Sequence, residues 1–307
     1  MMFEVVFLGT SASAPSLTRS LASTMVLYGR YRFLIDCGEG TQRQLLKSGL
    51  GFRRLNHILL THGHLDHILG LGGLVSTFSR WEAIDRLEIY GGAWALERVR
   101  DLILGVVLRG GRPNLQIEFI EISPGVILED EDFSLSAFPV THKGPGCFGY
   151  TFEEKSRRPF LTAVAERLGV PPGPERRRLV RGEPITLADG RVVTPDEVLG
   201  APISGARLVY VGDASRVDDL VDEARGADAL VIEATYLQAE AHLAKKYSHL
   251  TAAEAATLAR EAEVKVLYLT HISRRYSAEE VLAEAQPIFP HTVVAKDLDR
   301  VRMVKER

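Results

Sequence analysis

The chain has 307 residues, 46% hydrophobic and 25% charged, enough to bury the core of one large α/β domain or two smaller ones. None of its apolar runs reaches the ~18 residues of a membrane span, and a net charge of −3 gives no global sign of nucleic-acid binding. Two cysteines, Cys37 and Cys147, make no disulfide framework, and the start MMFEVVFLGT lacks a basic leader and a cleavage site, so a reducing cytoplasm is the expected compartment.

In chain order, FEVVFLG, STMVLYG and YRFLIDCG read as strands, with turns at Gly9 and Gly29-Arg30. NHILLTH is a further strand, followed by a helical stretch after residue 67. RLEIYG is a strand and AWALERVRDLILGVV is helical. FSLSAFPVTH, RLVYVGD, DALVIEAT and KVLYLTH are four more strands, with helical pieces such as TAAEAATLAREAEV between the last three. Antiparallel strands lead and β-α alternation follows, which predicts two sheets covered by helices. HILLTHGH and VLYLTHIS both run a strand into Leu-Thr-His, too short an echo to establish a repeat.

Residues 59–70, LLTHGHLDHILG, place His62, His64, Asp66 and His67 within six positions of a chain with nine histidines. The segment leaves a buried strand, where loops carry chemistry. If the strand persisted, alternation would point His62 and His64 the same way. Imidazole and carboxylate are suitable ligands for zinc and similar divalent ions. Four such groups exceed the needs of one open tetrahedral site and suit two ions sharing a cluster. His142, Asp213 and His271 each end a later apolar strand. One such residue reads as a turn or cap; three after H-x-H-x-D-H read as further ligands from the same sheet edge.

This pattern resembles the metallo-β-lactamase superfamily over nearly the whole chain. The resemblance implies an αββα sandwich, a single domain over 1–307, and two zinc ions per chain, or another divalent metal such as Mn²⁺. It implies that His62, His64 and His142 hold one ion, that Asp66, His67 and His271 hold the other, and that Asp213 bridges them. The fold hosts many hydrolases, so it does not name the substrate.

An insertion separates strand 133–142 from strand 207–212. Segment 155–181 contains Lys155, Arg157, Arg158, Arg167, Arg176, Arg177, Arg178 and Arg181 against Glu166 and Glu175, a charge of +6. Within it FLTAVAERLG is a short helical pattern stopped by Gly169, and Pro171, Pro172, Gly173 and Pro174 predict a stiff, non-helical bend. A basic arm on an acidic body fits contact with a phosphate backbone. Gly169–Pro174 and the run Arg-Gly-Glu-Pro-Ile-Thr-Leu-Ala-Asp-Gly-Arg at 181–191 are similar to the tRNA-gripping exosite of the ribonuclease Z family. IEATYL at 232–237 resembles that family's His-Glu-Ala-Thr motif, with Ile232 in place of His. SHLTAAEAA at 248–256 resembles its His-Ser-Thr-Ala motif, with Leu250 in place of Ser. The likeness implies that Glu233 orients His249. A carboxylate so placed fixes the tautomer and favours imidazolium, ready to donate a proton. Thr251 and Glu254 form a capping-box pattern behind it.

Two stretches depart from the family. Pro15-Ser16-Leu17-Thr18-Arg19-Ser20 lacks the Lys and Asn of P-x-K-x-R-N, and Gly212-Asp213-Ala214-Ser215 replaces Gly-Asp-Thr-Arg. The resemblance implies a cytoplasmic, metal-dependent endoribonuclease that removes the 3′ trailer of precursor tRNA by phosphodiester hydrolysis. Asp66 would orient the water and His249 would be the general acid. The family is homodimeric, with no membrane partner, and one subunit's arm grips the tRNA cut by the other. The alternative is a hydrolase of the same fold acting on a small phosphodiester, a cyclic nucleotide or a sulfate ester.

Overall fold

The structure is a computed structural model, and it describes residues 2–111 and 114–303. The first sheet is built from β1 (Glu4–Gly9), β2 (Ser23–Tyr28), β3 (Tyr31–Ile35), β4 (His57–Leu59), β5 (Arg86–Gly91) and β6 (Gln116–Glu121). The second begins with β7 (Gly125–Glu129), β8 (Phe133–Pro139) and β9 (Phe148–Glu154). After a two-stranded hairpin, β10 (Ile185–Thr186) with β11 (Val192–Val193), it continues with β12 (Arg207–Tyr210), β13 (Ala229–Glu233), β14 (Val266–Thr270) and β15 (Thr292–Val294). β16 (Arg300–Arg302) returns to the edge of the first sheet, beside β1.

The two seven-stranded sheets have the orders β16-β1-β2-β3-β4-β5-β6 and β15-β14-β13-β12-β9-β8-β7. Both are mixed. β1, β2 and β3 pair antiparallel and β3 to β6 parallel; β12 to β15 are parallel and β9 runs against β12. An apolar aromatic layer with contributions from both sheets explains why they stack. Phe3, Phe33, Phe133 and Phe152 are fully buried there, with Phe3 edge-on to Phe133 at 5.9 Å and Phe33 edge-on to Phe152 at 5.4 Å. Each buried ring contributes about 1.5–3 kcal/mol through desolvation and the ring geometry adds about 0.5–1.5. Two further clusters bury the helical side of each sheet. The four layers are those of an αββα sandwich.

Helix Ala252–Glu261 illustrates how local signals fix the elements. Thr251 Oγ1 accepts from the Glu254 N–H at 3.2 Å, and Glu254 Oε2 accepts from the Thr251 N–H at 2.7 Å. This reciprocal cap satisfies donors the helix leaves open. Ala252, Ala255, Ala256, Leu258 and Ala259 form its buried face.

The backbone divides into two compact units, Met1–Glu153 with Ala206–Arg307, and Glu154–Gly205. The second holds the basic segment, the β10-β11 hairpin and a core of Ala165, Val170, Leu179, Ile185, Val193, Val198 and Leu199. Helix Thr162–Arg167 lies within the expected helical pattern. Pro174 does not extend a bend: it occupies the first turn of helix Pro174–Val180, where a missing N–H costs nothing. That helix carries Arg176, Arg177 and Arg178. Among the described residues no helix is long and apolar enough to cross a membrane.

Candidate metal centre

Strand β4 stops at Leu59, short of His62. The turn has a local cause: Thr61 donates its N–H to Asp36 Oδ1 at 2.8 Å and its hydroxyl to Asp36 Oδ2 at 2.7 Å. Strand alternation therefore does not orient His62 and His64. His64 instead precedes helix Leu65–Ile68 in extended conformation, and the helical turn carries Asp66 and His67. The other candidates follow strand ends. His142 comes after β8, Asp213 after β12 and His271 directly after β14. His271 adopts a left-handed φ of 53°, a conformation that side chains with a Cβ take only when the surroundings hold it.

The sequence-predicted ligands converge. His62 Nε2 lies 2.8 Å from His64 Nδ1, which lies 3.4 Å from His142 Nε2. His67 Nε2 is 3.4 Å from His271 Nε2, and Asp66 Oδ2 is 3.8 Å from the first and 3.5 Å from the second. Asp213 stands between the two sets. Its Oδ2 is 3.7 Å from His62, 3.8 Å from His142 and 3.5 Å from His67, and its Oδ1 is 3.4 Å from His271. Donor atoms within each set lie within 4.8 Å of one another.

These residues fit divalent metal. Bonds of ~2.0–2.1 Å to nitrogen in a tetrahedron put neighbouring ligand atoms about 3.3–3.4 Å apart, close to most of the separations here. Asp213 Oδ1 is a buried oxygen with no hydrogen-bond donor, the state expected of a ligand atom. The donors are nitrogen and oxygen only. Cys37 and Cys147 are buried thiols, and burial pushes them up to about 12 and about 11. The field favours cations. Burial opposes ionisation of Asp66 and Asp213, yet His67 and His271 hold both below the usual carboxylate range. Burial, with its imidazole neighbours, pushes His64 down to about 4 and His62 down as well. Neutral imidazole is the ligating form.

A surrounding set of residues aims the ligands, and the sequence reading did not single it out. His67 Nδ1 bonds Asp36 Oδ2 at 2.7 Å. His142 Nδ1 donates to the Ser248 carbonyl at 2.8 Å. His271 Nδ1 meets Thr235 Oγ1 at 2.9 Å, and Thr235 in turn donates to Glu233. The Ser13 N–H donates to Asp66 Oδ2 at 3.0 Å. Such partners fix which ring nitrogen faces the metal. A signal for Asp36 existed: an aspartate directly after β3, ahead of Cys37-Gly38.

Glu233 and His249 are also brought together. His249 Nδ1 lies 3.0 and 3.1 Å from the two Glu233 oxygens. Against the cost of burial, Glu233 pushes His249 up to about 9, so the ring is charged at neutral pH. His249 Nδ1 is also 3.8 Å from Asp213 Oδ2, but that nitrogen is taken up by Glu233. Its other ring nitrogen is left for the cleft, which His249 lines.

In the second unit, Arg157, Arg167, Arg177, Arg178 and Arg181 are exposed and Arg158 and Arg176 half-buried. Arg158 is occupied locally: it donates to the carbonyls of Gly200 and Leu199 and pairs with Asp196 at 2.5 Å. Arg176 donates to Val170 O at 3.1 Å and covers Phe160. Arg178 pairs with Glu183 at 3.1 Å. Arg176, Arg177 and Arg181 line a surface hollow with Phe160 and Val180.

Comparison with known proteins agrees with this architecture. The beta-lactamase superfamily domain matches residues 31–203 and 184–272. Ribonuclease Z of Bradyrhizobium sp. (strain ORS 278) is 48% identical over 300 residues, 98% of this chain and 99% of that protein. Ribonuclease Z of Archaeoglobus fulgidus is 40% identical over 301 residues, 97% of this chain and 96% of that protein. The crystal structure of human tRNase Z, short form, superposes with a TM-score of 0.68 at 25% identity, covering 98% of this chain and all of that one. The chain thus belongs to the ribonuclease Z family of the β-lactamase superfamily.

Proposed function

We propose the following division of labour in this chain, a metal-dependent endoribonuclease that processes the 3′ end of tRNA. His62, His64 and His142 hold one divalent ion, Asp66, His67 and His271 a second, and Asp213 serves both. Zinc suits the imidazole-rich donor set, with Mn²⁺ as a substitute. When bound, such ions make water acidic enough to attack near neutral pH and offset the charge of the phosphate oxygens.

The chain's own groups do the rest. Asp66, ionised and held through Oδ2 by the Ser13 N–H, orients the attacking water and accepts its proton at Oδ1. His249, charged and fixed by Glu233, donates the proton of its free ring nitrogen to the leaving 3′ oxygen. The products are a tRNA with a 3′ hydroxyl and a trailer with a 5′ phosphate. Arg157, Arg167, Arg177, Arg178 and Arg181 of the arm bind tRNA phosphates, with Arg158 and Arg176 shaping that surface, so affinity comes from backbone and shape. The working unit is a cytoplasmic homodimer in which one subunit's arm holds the tRNA that the other cuts.

The observation that carries this reading is the Glu233–His249 pair beside seven convergent ligands: a proton donor next to a two-ion cluster is what a poor alkoxide leaving group requires. The test is incubation with a precursor tRNA bearing a 3′ trailer, followed by mapping of both new ends. One cut leaving a 3′ hydroxyl on the tRNA supports it; digestion throughout the RNA, or none, rejects it.

A further inference from the structure

The cleft over the ligand cluster, about 540 Å³, is lined by two cations outside the ligand set, Arg98 and Lys143. Arg98 packs over Trp94, and Lys143 precedes Gly144, which abuts the same indole. That indole stands edge-on to His64, with ring centroids 5.6 Å apart. The Arg98 guanidinium lies 5.5 Å over the indole, and its Nη1 donates to the Gly63 carbonyl at 2.8 Å. Both neighbouring loop positions hold glycine close against the indole. A Cβ on Gly63 would sit 3.0 Å from Trp94 Cε3, and one on Gly144 would sit 2.6 Å from Cζ3. Trp94 is thereby wedged between the loop carrying His64 and the loop carrying Lys143. Lys143 directly precedes Gly144 and lines the cleft together with Arg98. Across the ligand cluster, His249 has Tyr236 beside it at 6.2 Å between ring centroids, and Tyr247 lines the same cleft.

The reaction assigns these two sides. His249 protonates the 3′ oxygen of the departing tRNA, so that nucleotide lies at His249, where Tyr236 and Tyr247 offer aromatic faces to its base. The cleaved phosphate stays on the trailer, which leaves on the opposite side, past His64. We propose that Arg98 and Lys143, stationed by Trp94, bind the first internucleotide phosphate of the trailer, the one that follows the scissile phosphate in the 3′ direction. The inference rests on the functional reading above. With Nη1 engaged by Gly63, Arg98 keeps Nη2 and Nε for phosphate oxygens, and Lys143 adds a mobile point charge. These are binding residues that set how the enzyme engages the trailer; the proton transfers remain with His249 and Asp66.

The test uses two precursor tRNAs with trailers of several nucleotides. They are identical except that one carries an uncharged methylphosphonate at that linkage. For the wild type, neutralising the linkage should lower kcat/KM by about tenfold, mostly through KM, the loss expected for one charge-assisted hydrogen bond. Lys143→Met should show a similar loss on the charged trailer and little further loss on the neutral one, while Lys143→Arg restores most of the difference. Arg98→Met, checked for a wild-type melting curve, should couple to the linkage in the same way. Indifference of the wild type to the methylphosphonate would overturn the assignment. So would losses from Lys143→Met and from the methylphosphonate that simply multiply. A wild type that cleaves neither precursor rejects the functional reading itself, an outcome distinct from either.

Discussion

Asp36 accepts hydrogen bonds from His67 Nδ1 and from the Thr61 hydroxyl through one oxygen, Oδ2, both at 2.7 Å. A single buried carboxylate therefore turns the chain out of β4 and also points His67 Nε2 into the ligand cluster. Asp36→Asn tests this with little effect on the backbone, because asparagine tolerates the left-handed φ of 56° found here. Metal affinity should fall roughly 10–100-fold, the usual consequence of losing a partner that orients a ligand. Competition against a chromogenic chelator measures it. Wild-type affinity in that assay would mean that Asp36 serves the turn alone.

Asp213 reaches both ligand sets from one buried position. Elemental analysis of metal-replete protein should find about two divalent ions per chain, as a two-metal centre requires. Asp213→Ala should carry about one ion or fewer and lose activity, whereas His64→Ala should chiefly empty one set. Full occupancy in Asp213→Ala would show that the bridge assignment is wrong.

Exposed arginines of the second unit call for a different measurement. Arg177 and Arg181 lie at the surface beside Phe160 and Val180, whereas Arg158 and Arg178 have acidic partners close by. Arg177→Ala with Arg181→Ala should weaken precursor binding and flatten its salt dependence, by about 0.7–0.9 in log–log slope for each phosphate that is no longer neutralised. An unchanged slope in a filter-binding titration would remove these two from the RNA surface.

The convergence of the candidate ligands was legible in the sequence because strand ends and local helical turns deliver them, and their residue types are scarce elsewhere. Its supports were not. Asp36, Thr61 and Thr235 are ordinary turn residues until the fold brings them against imidazole nitrogens. Trp94 acts through Gly63 and Gly144, neighbours in space and not in sequence. Both sheets were foreseen, but β6, β7 and β9 were not, nor were the short strands β10, β11, β15 and β16. The first two are half-exposed edge strands whose pattern lacks a clean apolar face, and β9 follows a glycine-rich turn that hides its start. Pro174 shows a further limit: proline both stiffens bends and opens helices, and only the backbone distinguishes the two uses.

His249 allows the sharpest test. As the proton donor, His249→Ala should lower kcat on precursor tRNA by roughly 10²–10⁴, with metal content at the wild-type level because the seven proposed ligands do not include it. Glu233→Gln should give a milder defect and a change in pH profile. Glu233 raises His249 to about 9. A donor must be protonated, so activity is present below that value and lost as pH rises through it. Without the carboxylate the alkaline fall should begin at lower pH. The leaving group separates acid catalysis from a packing role. p-Nitrophenolate departs with little need of a proton, so His249→Ala should harm hydrolysis of bis(p-nitrophenyl) phosphate far less than cleavage of precursor tRNA. Equal loss on both substrates, or loss of metal, would assign this histidine to the ligand set or the packing around it.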